Sequence, residues 1–95
     1  MITHIVFFKL PNYSQELCQE LQMRLMSMEG RIDALTSITV GIDIARTERA
    51  FDVALITTHT SLENLQAYAV DPIHQDVIAW IKSQEIVTKI VDFKS

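Results

Sequence analysis

Three of the four strand-like segments in this chain are apolar on both sides, and this constrains the fold more than any other feature. In the first, Ile2 to Leu10, Val6 and Phe8 lie on one side and Ile5 and Phe7 on the other. In the third, Phe51 to Thr60, Val53 and Leu55 oppose Ala54 and Ile56. In the last, Ile86 to Phe93, Ile86 and Ile90 oppose Val87, Val91 and Phe93. Successive strand side chains point to opposite faces, so a sheet with one solvated face reads apolar-in, polar-out. Only the second segment does so, with Ile38, Val40, Ile42 and Ile44 against Thr39, Gly41, Asp43 and Ala45. A chain of 95 residues makes one small domain, and its helices can cover one face of a sheet. The other face needs a cover from outside, and a second copy of the chain is the simplest one.

The helices are legible between the strands. Ser14 is a good N-cap for a helix running to about Met28, with a stripe of Leu17, Cys18, Leu21, Leu25 and Met28. Gly30 stands where a C-terminal cap belongs. Arg46-Thr47-Glu48-Arg49 is a polar hairpin connection. Ser61 caps a helix from Leu62 to about Val70, with Glu63 in its first turn. Asp71-Pro72 then reads as an N-cap followed by proline at the first helical position, so a new helix runs to about Lys82. The order strand, helix, strand, strand, helix pair, strand is a ferredoxin-like α+β fold. It predicts a four-stranded antiparallel sheet with helices on one face, in a single domain over residues 1–95.

Charge and motifs exclude several classes of function. The net charge is −4 and the eight Lys and Arg residues are scattered, so no basic patch suits nucleic acid. There is no phosphate-binding glycine loop, no metal-spaced Cys/His set and no nucleophile elbow, so no cofactor is expected. The one cysteine, Cys18, allows no intrachain disulfide and reads as a buried core residue. Ile5 to Phe8 is too short for a signal core or a membrane span, and a reducing cytoplasm is the expected setting.

Chemistry concentrates in Tyr68-Ala69-Val70-Asp71-Pro72-Ile73-His74, read together with His4. Tyrosine and histidine are the side chains most suited to proton transfer near neutral pH. His74 falls in the first turn after its cap, where the positive helix end favours a neutral ring able to take a proton. The Tyr68 hydroxyl can polarise a carbonyl, and His4 shares a strand side with Val6 and Phe8. Each has a packing alternative: His74 docking its helix, His4 held to a backbone carbonyl, Tyr68 as a core aromatic. Trp80 reads as packing, His59 as an exposed strand end without a role, and Asp52 and Asp92 as isolated loop or strand-end carboxylates.

The joint order of Ile2-Thr3-His4-Ile5-Val6-Phe7-Phe8-Lys9, Phe51-Asp52-Val53-Ala54-Leu55, Ser61-Leu62-Glu63, Ala67-Tyr68, Asp71-Pro72-Ile73-His74 and Val91-Asp92-Phe93 resembles the stress-responsive dimeric α/β-barrel (Dabb) family. The resemblance covers nearly the whole chain. It implies a homodimer whose two sheets close into one barrel. One plant branch of that family contains polyketide cyclases, which fold a linear poly-β-keto thioester by aldol chemistry without a cofactor. Tyr68, Pro72, His74 and His4 match that branch's catalytic pattern, whereas Asp71 stands where the branch has histidine before the proline. The resemblance also implies that the His4 side of the first strand meets the helices, which brings His4 towards His74.

Two readings follow. One is an enzyme with His74 as base, Tyr68 as carbonyl donor and His4 as orienter, acting on a hydrophobic carbonyl substrate. The other is a non-catalytic dimeric barrel, or a binder of a small apolar ligand. A cofactor-free monooxygenase acting on an electron-rich phenol is a weaker third. Phe8, Met23, Met26 and Met28 are large enough to fill the space between the histidines. A cavity touching both His4 and His74 favours the enzyme, and solid packing there favours the scaffold.

Overall fold

The computed structural model describes residues 1–95. The elements are β1 (Ile2–Lys9), α1 (Gln15–Met26), β2 (Ser37–Ile42), β3 (Val53–His59), α2 (Leu62–Val70), α3 (Pro72–Ser83) and β4 (Val87–Lys94). The strands form one antiparallel sheet in the order β2-β3-β1-β4, and the fold is ferredoxin-like.

The caps act as their residue types require. Ser14 Oγ accepts from the Leu17 amide and Ser61 Oγ from the Asn64 amide, each satisfying an orphan donor of a first helical turn. Asp71 serves two helices. Its backbone N–H donates to the Tyr68 carbonyl at the end of α2, and its side chain accepts from the Ile73 amide at 2.8 Å to start α3. Pro72 at the first position loses no helical hydrogen bond. The kink therefore comes from two residues, and it sets Tyr68 and His74 on facing turns.

Period-two alternation sorts the sheet residues. Val6, Phe8, Val53, Leu55 and Ile38 point to the helices and are buried. There they meet Cys18, Leu21 and Leu25 of α1, Leu65 and Tyr68 of α2, and Val77 and Ile81 of α3. Fully burying one such large apolar side chain contributes roughly 1.5–3 kcal/mol. The opposite face carries Ile5 between Ile56 and Val91, with Phe7, Val87 and Phe93 nearby. It is bare: Phe7 is 46% exposed, Ile56 39% and Val91 61%. The two-sided pattern of the sequence thus corresponds to one packed face and one uncovered apolar face.

Two details differ from the expected layout. The second strand stops at Ile42, and Ile44, expected on its apolar face, is 93% exposed. The Asp43 carboxylate accepts from the Arg46 amide at 2.8 Å, and Arg46 adopts φ +51°, so the chain turns before Ile44 can pair. Asp52 is no loose strand-end carboxylate but wholly buried. Its Oδ2 accepts from the Leu10 amide at 2.7 Å. Its Oδ1 has no aligned hydrogen bond and is held electrostatically, 2.9 Å from Arg46 Nη2 and 3.8 Å from Lys9 Nζ. The carboxylate ties the end of β1 to the β2–β3 connection.

Asp52→Ala removes a buried acceptor and leaves the Leu10 amide unpaired. It is expected to destabilise the fold by about 2–3 kcal/mol. A lowered urea midpoint with unchanged m-value is the readout, and an unchanged midpoint contradicts this account of the tie.

Candidate functional site

β1 turns His4 inward, and antiparallel pairing sets Asp92 of β4 directly opposite it. His4 Nδ1 donates to Asp92 Oδ1 in a short contact. A carboxylate only accepts, so this partner fixes the Nδ1–H tautomer and leaves Nε2 for other work. The His4 ring is nearly buried and Asp92 is partly exposed.

His74, half-buried, is anchored from its own helix pair. Its Nδ1 donates to the Ala69 carbonyl at 3.0 Å, which leaves the Nε2 lone pair free. Burial is the main cause that lowers its pKa. The nearby His4 and His59 rings push the same way, while the Ala69 bond and Asp71 oppose. The direction agrees with the neutral ring expected from its helical position, but desolvation is the main cause.

Tyr68 lies between two imidazoles, its ring centroid 4.3 Å from His74 and 4.9 Å from His59, with His4 edge-on at 6.1 Å. The residue is buried, and burial pushes its phenol far above the ordinary value, so it stays protonated. Its hydroxyl donates to Met28 Sδ at 3.9 Å. A thioether is a weak acceptor, so this donor is not committed to a strong partner.

His59 overturns its expected exposure: it is completely buried. Nδ1 donates to the Ala34 carbonyl at 2.7 Å, and Nε2 accepts from the Thr57 hydroxyl at 2.9 Å. Desolvation lowers its pKa, against the Ala34 bond, which raises it. It supports Tyr68 from behind. Period-two alternation from Val53 through Leu55 and Thr57 already puts it on the inner face. Asp92 was missed for another reason, since only the β1–β4 pairing brings it to His4.

These groups border a cavity of about 430 Å³ between the sheet and the α2–α3 pair. His4, His74, Tyr68 and Asp92 all line it, together with Val6, Leu65, Ala69, Val77, Ile78 and Ile90. The large residues do not fill it. Phe8 forms part of the wall, Met28 packs on Tyr68 and Met23 is exposed. A second hollow of similar volume lies on the bare face of the sheet between Phe7, Gly41, Phe51 and Ala54, remote from the imidazoles. No three His, Cys, Asp or Glu side chains converge to hold a metal ion. No helix is long and apolar enough to cross a membrane.

A ferredoxin-like sheet with an imidazole-lined cavity on one face and an uncovered apolar face on the other defines a small barrel-forming α+β domain. The chain belongs to the Stress responsive A/B Barrel Domain (Dabb) family, which it matches over residues 2–95. No curated protein matches it significantly. Among solved structures, it resembles a dimeric ferredoxin-like protein of unknown function from Bacteroides fragilis (TM-score 0.85, 21% identity, covering 99% of this chain and 95% of that one). A dimeric ferredoxin-like protein of unknown function from Thermobifida fusca is similar as well (TM-score 0.86, 20% identity, 99% and 90% covered). So is SnoaB, a cofactor-independent oxygenase from Streptomyces nogalater (TM-score 0.76, 10% identity, 99% and 91% covered). At these identities the likeness is one of fold.

His59 and His74 both have lowered pKa values in the folded chain. The unfolded chain therefore takes up protons more readily as pH falls through about 6.5, and stability is lost below that value. Ring-proton NMR is expected to show both histidines titrating below it. A value clearly above it for His74 would mean that Asp71 outweighs burial.

Proposed function

We propose that this protein is a cofactor-independent enzyme that moves a proton beside a carbonyl of a hydrophobic substrate, as in an aldol-type cyclisation. The observation that carries the reading is that His4 and His74 share one solvent-reachable cavity with an apolar wall. Forming a carbanion next to a carbonyl needs a base and a group to stabilise the enolate oxygen. His74 Nε2, neutral and free, takes the proton from carbon. The Tyr68 hydroxyl leaves its weak sulfur acceptor and donates to the developing oxyanion. His4, its ring fixed by Asp92, orients the carbonyl. The enolate carbon then attacks a second carbonyl of the same molecule, and His74 returns the proton to the new alkoxide. Cofactor-independent chemistry also has a structural parallel in SnoaB.

A second reading keeps the cavity and omits the chemistry: a dimeric barrel that binds an apolar ligand. The Tyr68 hydroxyl resting on Met28, rather than on the histidines, favours it. The two readings separate by solvent deuterium exchange into a hydrophobic 1,3-diketone, followed by NMR. The wild type is expected to accelerate exchange, His74→Ala to lose about 10²–10⁴-fold, and Tyr68→Phe to lose less. Exchange no faster with wild type than with His74→Ala leaves the ligand-binding reading in place.

The same proposal includes a homodimer formed through the bare sheet face, with Ile5, Phe7, Ile56, Val87 and Val91 in the shared core. The neighbours from Bacteroides fragilis and Thermobifida fusca are dimeric, and an uncovered apolar face on a lone chain would favour association. The interface is expected to bury on the order of 1,500 Å² or more. Ile56→Asp, which charges the centre of the face, should give unfolded or aggregated protein. Sedimentation of the wild type as a well-folded monomer at micromolar concentration would sink the dimer.

A further inference from the structure

The cavity has a charge pattern that the proposed reaction uses only to hold the His4 ring. Along β1 and β4 the lining rows are His4–Asp92, Val6–Ile90 and Phe8–Thr88. The first and last rows are four residues apart, or roughly 13 Å along the strands. Asp92 therefore stands at one end of these rows, an apolar band follows, and Thr88 borders the other end. No lysine or arginine lines the cavity, and Asp92 is its sole carboxylate. Lys94 shares the Asp92 side of β4, one row further out, exposed and outside the lining.

We propose that the cavity is charge-selective: it takes a neutral carbonyl compound with an apolar body and rejects the corresponding carboxylate, with Asp92 as the specificity-determining residue. This rests on the reading of the cavity as a ligand site, and it names the class of ligand.

The two head groups meet the same lining with different results. A ketone, ester or thioester oxygen needs only a donor, and the Tyr68 and Thr88 hydroxyls and the Gln66 amide are within the lining. A carboxylate loses its hydration against an apolar wall and finds no cation to replace it. It also faces Asp92, whose charge His4 holds in place by its Nδ1 bond. Like charges a few ångström apart repel in a partly dry site. Asp92 is partly exposed, so the discrimination is moderate, on the order of tenfold rather than thousands. The step that supplies this site must then deliver a ketone, or an acid masked as an ester or thioester. Any step that unmasks an acid generates a product the cavity expels.

The test uses the intact protein at about pH 8, above the ordinary histidine range, with 2-octanone and octanoate as matched probes. Affinities are read from amide shifts of Ala69 and Ile90 in NMR titrations. The wild type is expected to bind 2-octanone at least about tenfold tighter than octanoate. Asp92→Asn should reduce that preference to about threefold or less by improving octanoate. Thr88→Lys, which adds a cation without touching the His4 partner, should also strengthen octanoate binding and serves if Asp92→Asn does not fold. Equal binding of both probes by wild type overturns the charge selection while leaving the acid–base reading intact. A preference unchanged in Asp92→Asn removes Asp92 from the role. Failure of both probes to perturb Ala69 and Ile90 overturns the cavity as a ligand site, and the reading it rests on with it.

Discussion

The register of β1 is the constraint on which the rest of this structure depends. β1 lies between β3 and β4 and pairs with both along nearly its whole length. That register sets His4 opposite both Asp92 and Thr57, and sets Ile5 between Ile56 and Val91. A slip of one residue would turn His4 and Val6 to the bare face and bury Ile5 and Phe7 under the helices. The cavity, its His4–Asp92 hydrogen bond and the uncovered face are thus consequences of one alignment. The alignment is held by core residues on one side, and in the proposed dimer by the partner on the other.

The electrostatics of the cavity follow from which histidine has which neighbour. Three imidazoles lie around Tyr68, and each uses Nδ1 for a structural hydrogen bond. His59 gives both nitrogens to its neighbours and is sealed, so it can only support. His74 bonds a carbonyl and keeps a lone pair. His4 bonds a carboxylate, which fixes its ring and tautomer. His59 and His74 share a carbonyl acceptor, so what separates them is the second nitrogen, taken by Thr57 in His59 and free in His74.

The α2–α3 junction does the corresponding work on the helical side. One aspartate ends a helix and begins the next, and proline prevents the two from merging. The break lets Ala69 present its carbonyl to His74 instead of to an amide of a continuous helix. Local chain chemistry therefore builds half of the cavity before any strand contributes.

How much of this was legible in the sequence depends on the range of the interaction. Helix caps, the Asp71-Pro72 break and the two-sided strands are set by neighbours a few residues apart, and periodicity exposes them; the inward side of His4 came from the family resemblance, because both sides of its strand are apolar. Ile44 misled, because an Asp43 turn competes with strand alternation and wins locally. His59 was legible in principle, since it continues the alternation of Val53, Leu55 and Thr57, but a loop carbonyl 25 residues away decides its burial. Asp92 was not legible at all: 88 residues separate it from His4, and only sheet pairing makes the contact. Nor could the residues reveal that Met28 would stop at the Tyr68 hydroxyl and leave the cavity open, because packing volume is a property of the whole core. The sequence by itself determined the elements and their apolar faces, because those rest on local sterics and period. Tertiary structure alone decided which polar groups meet and where space remains, because both depend on contacts between distant segments.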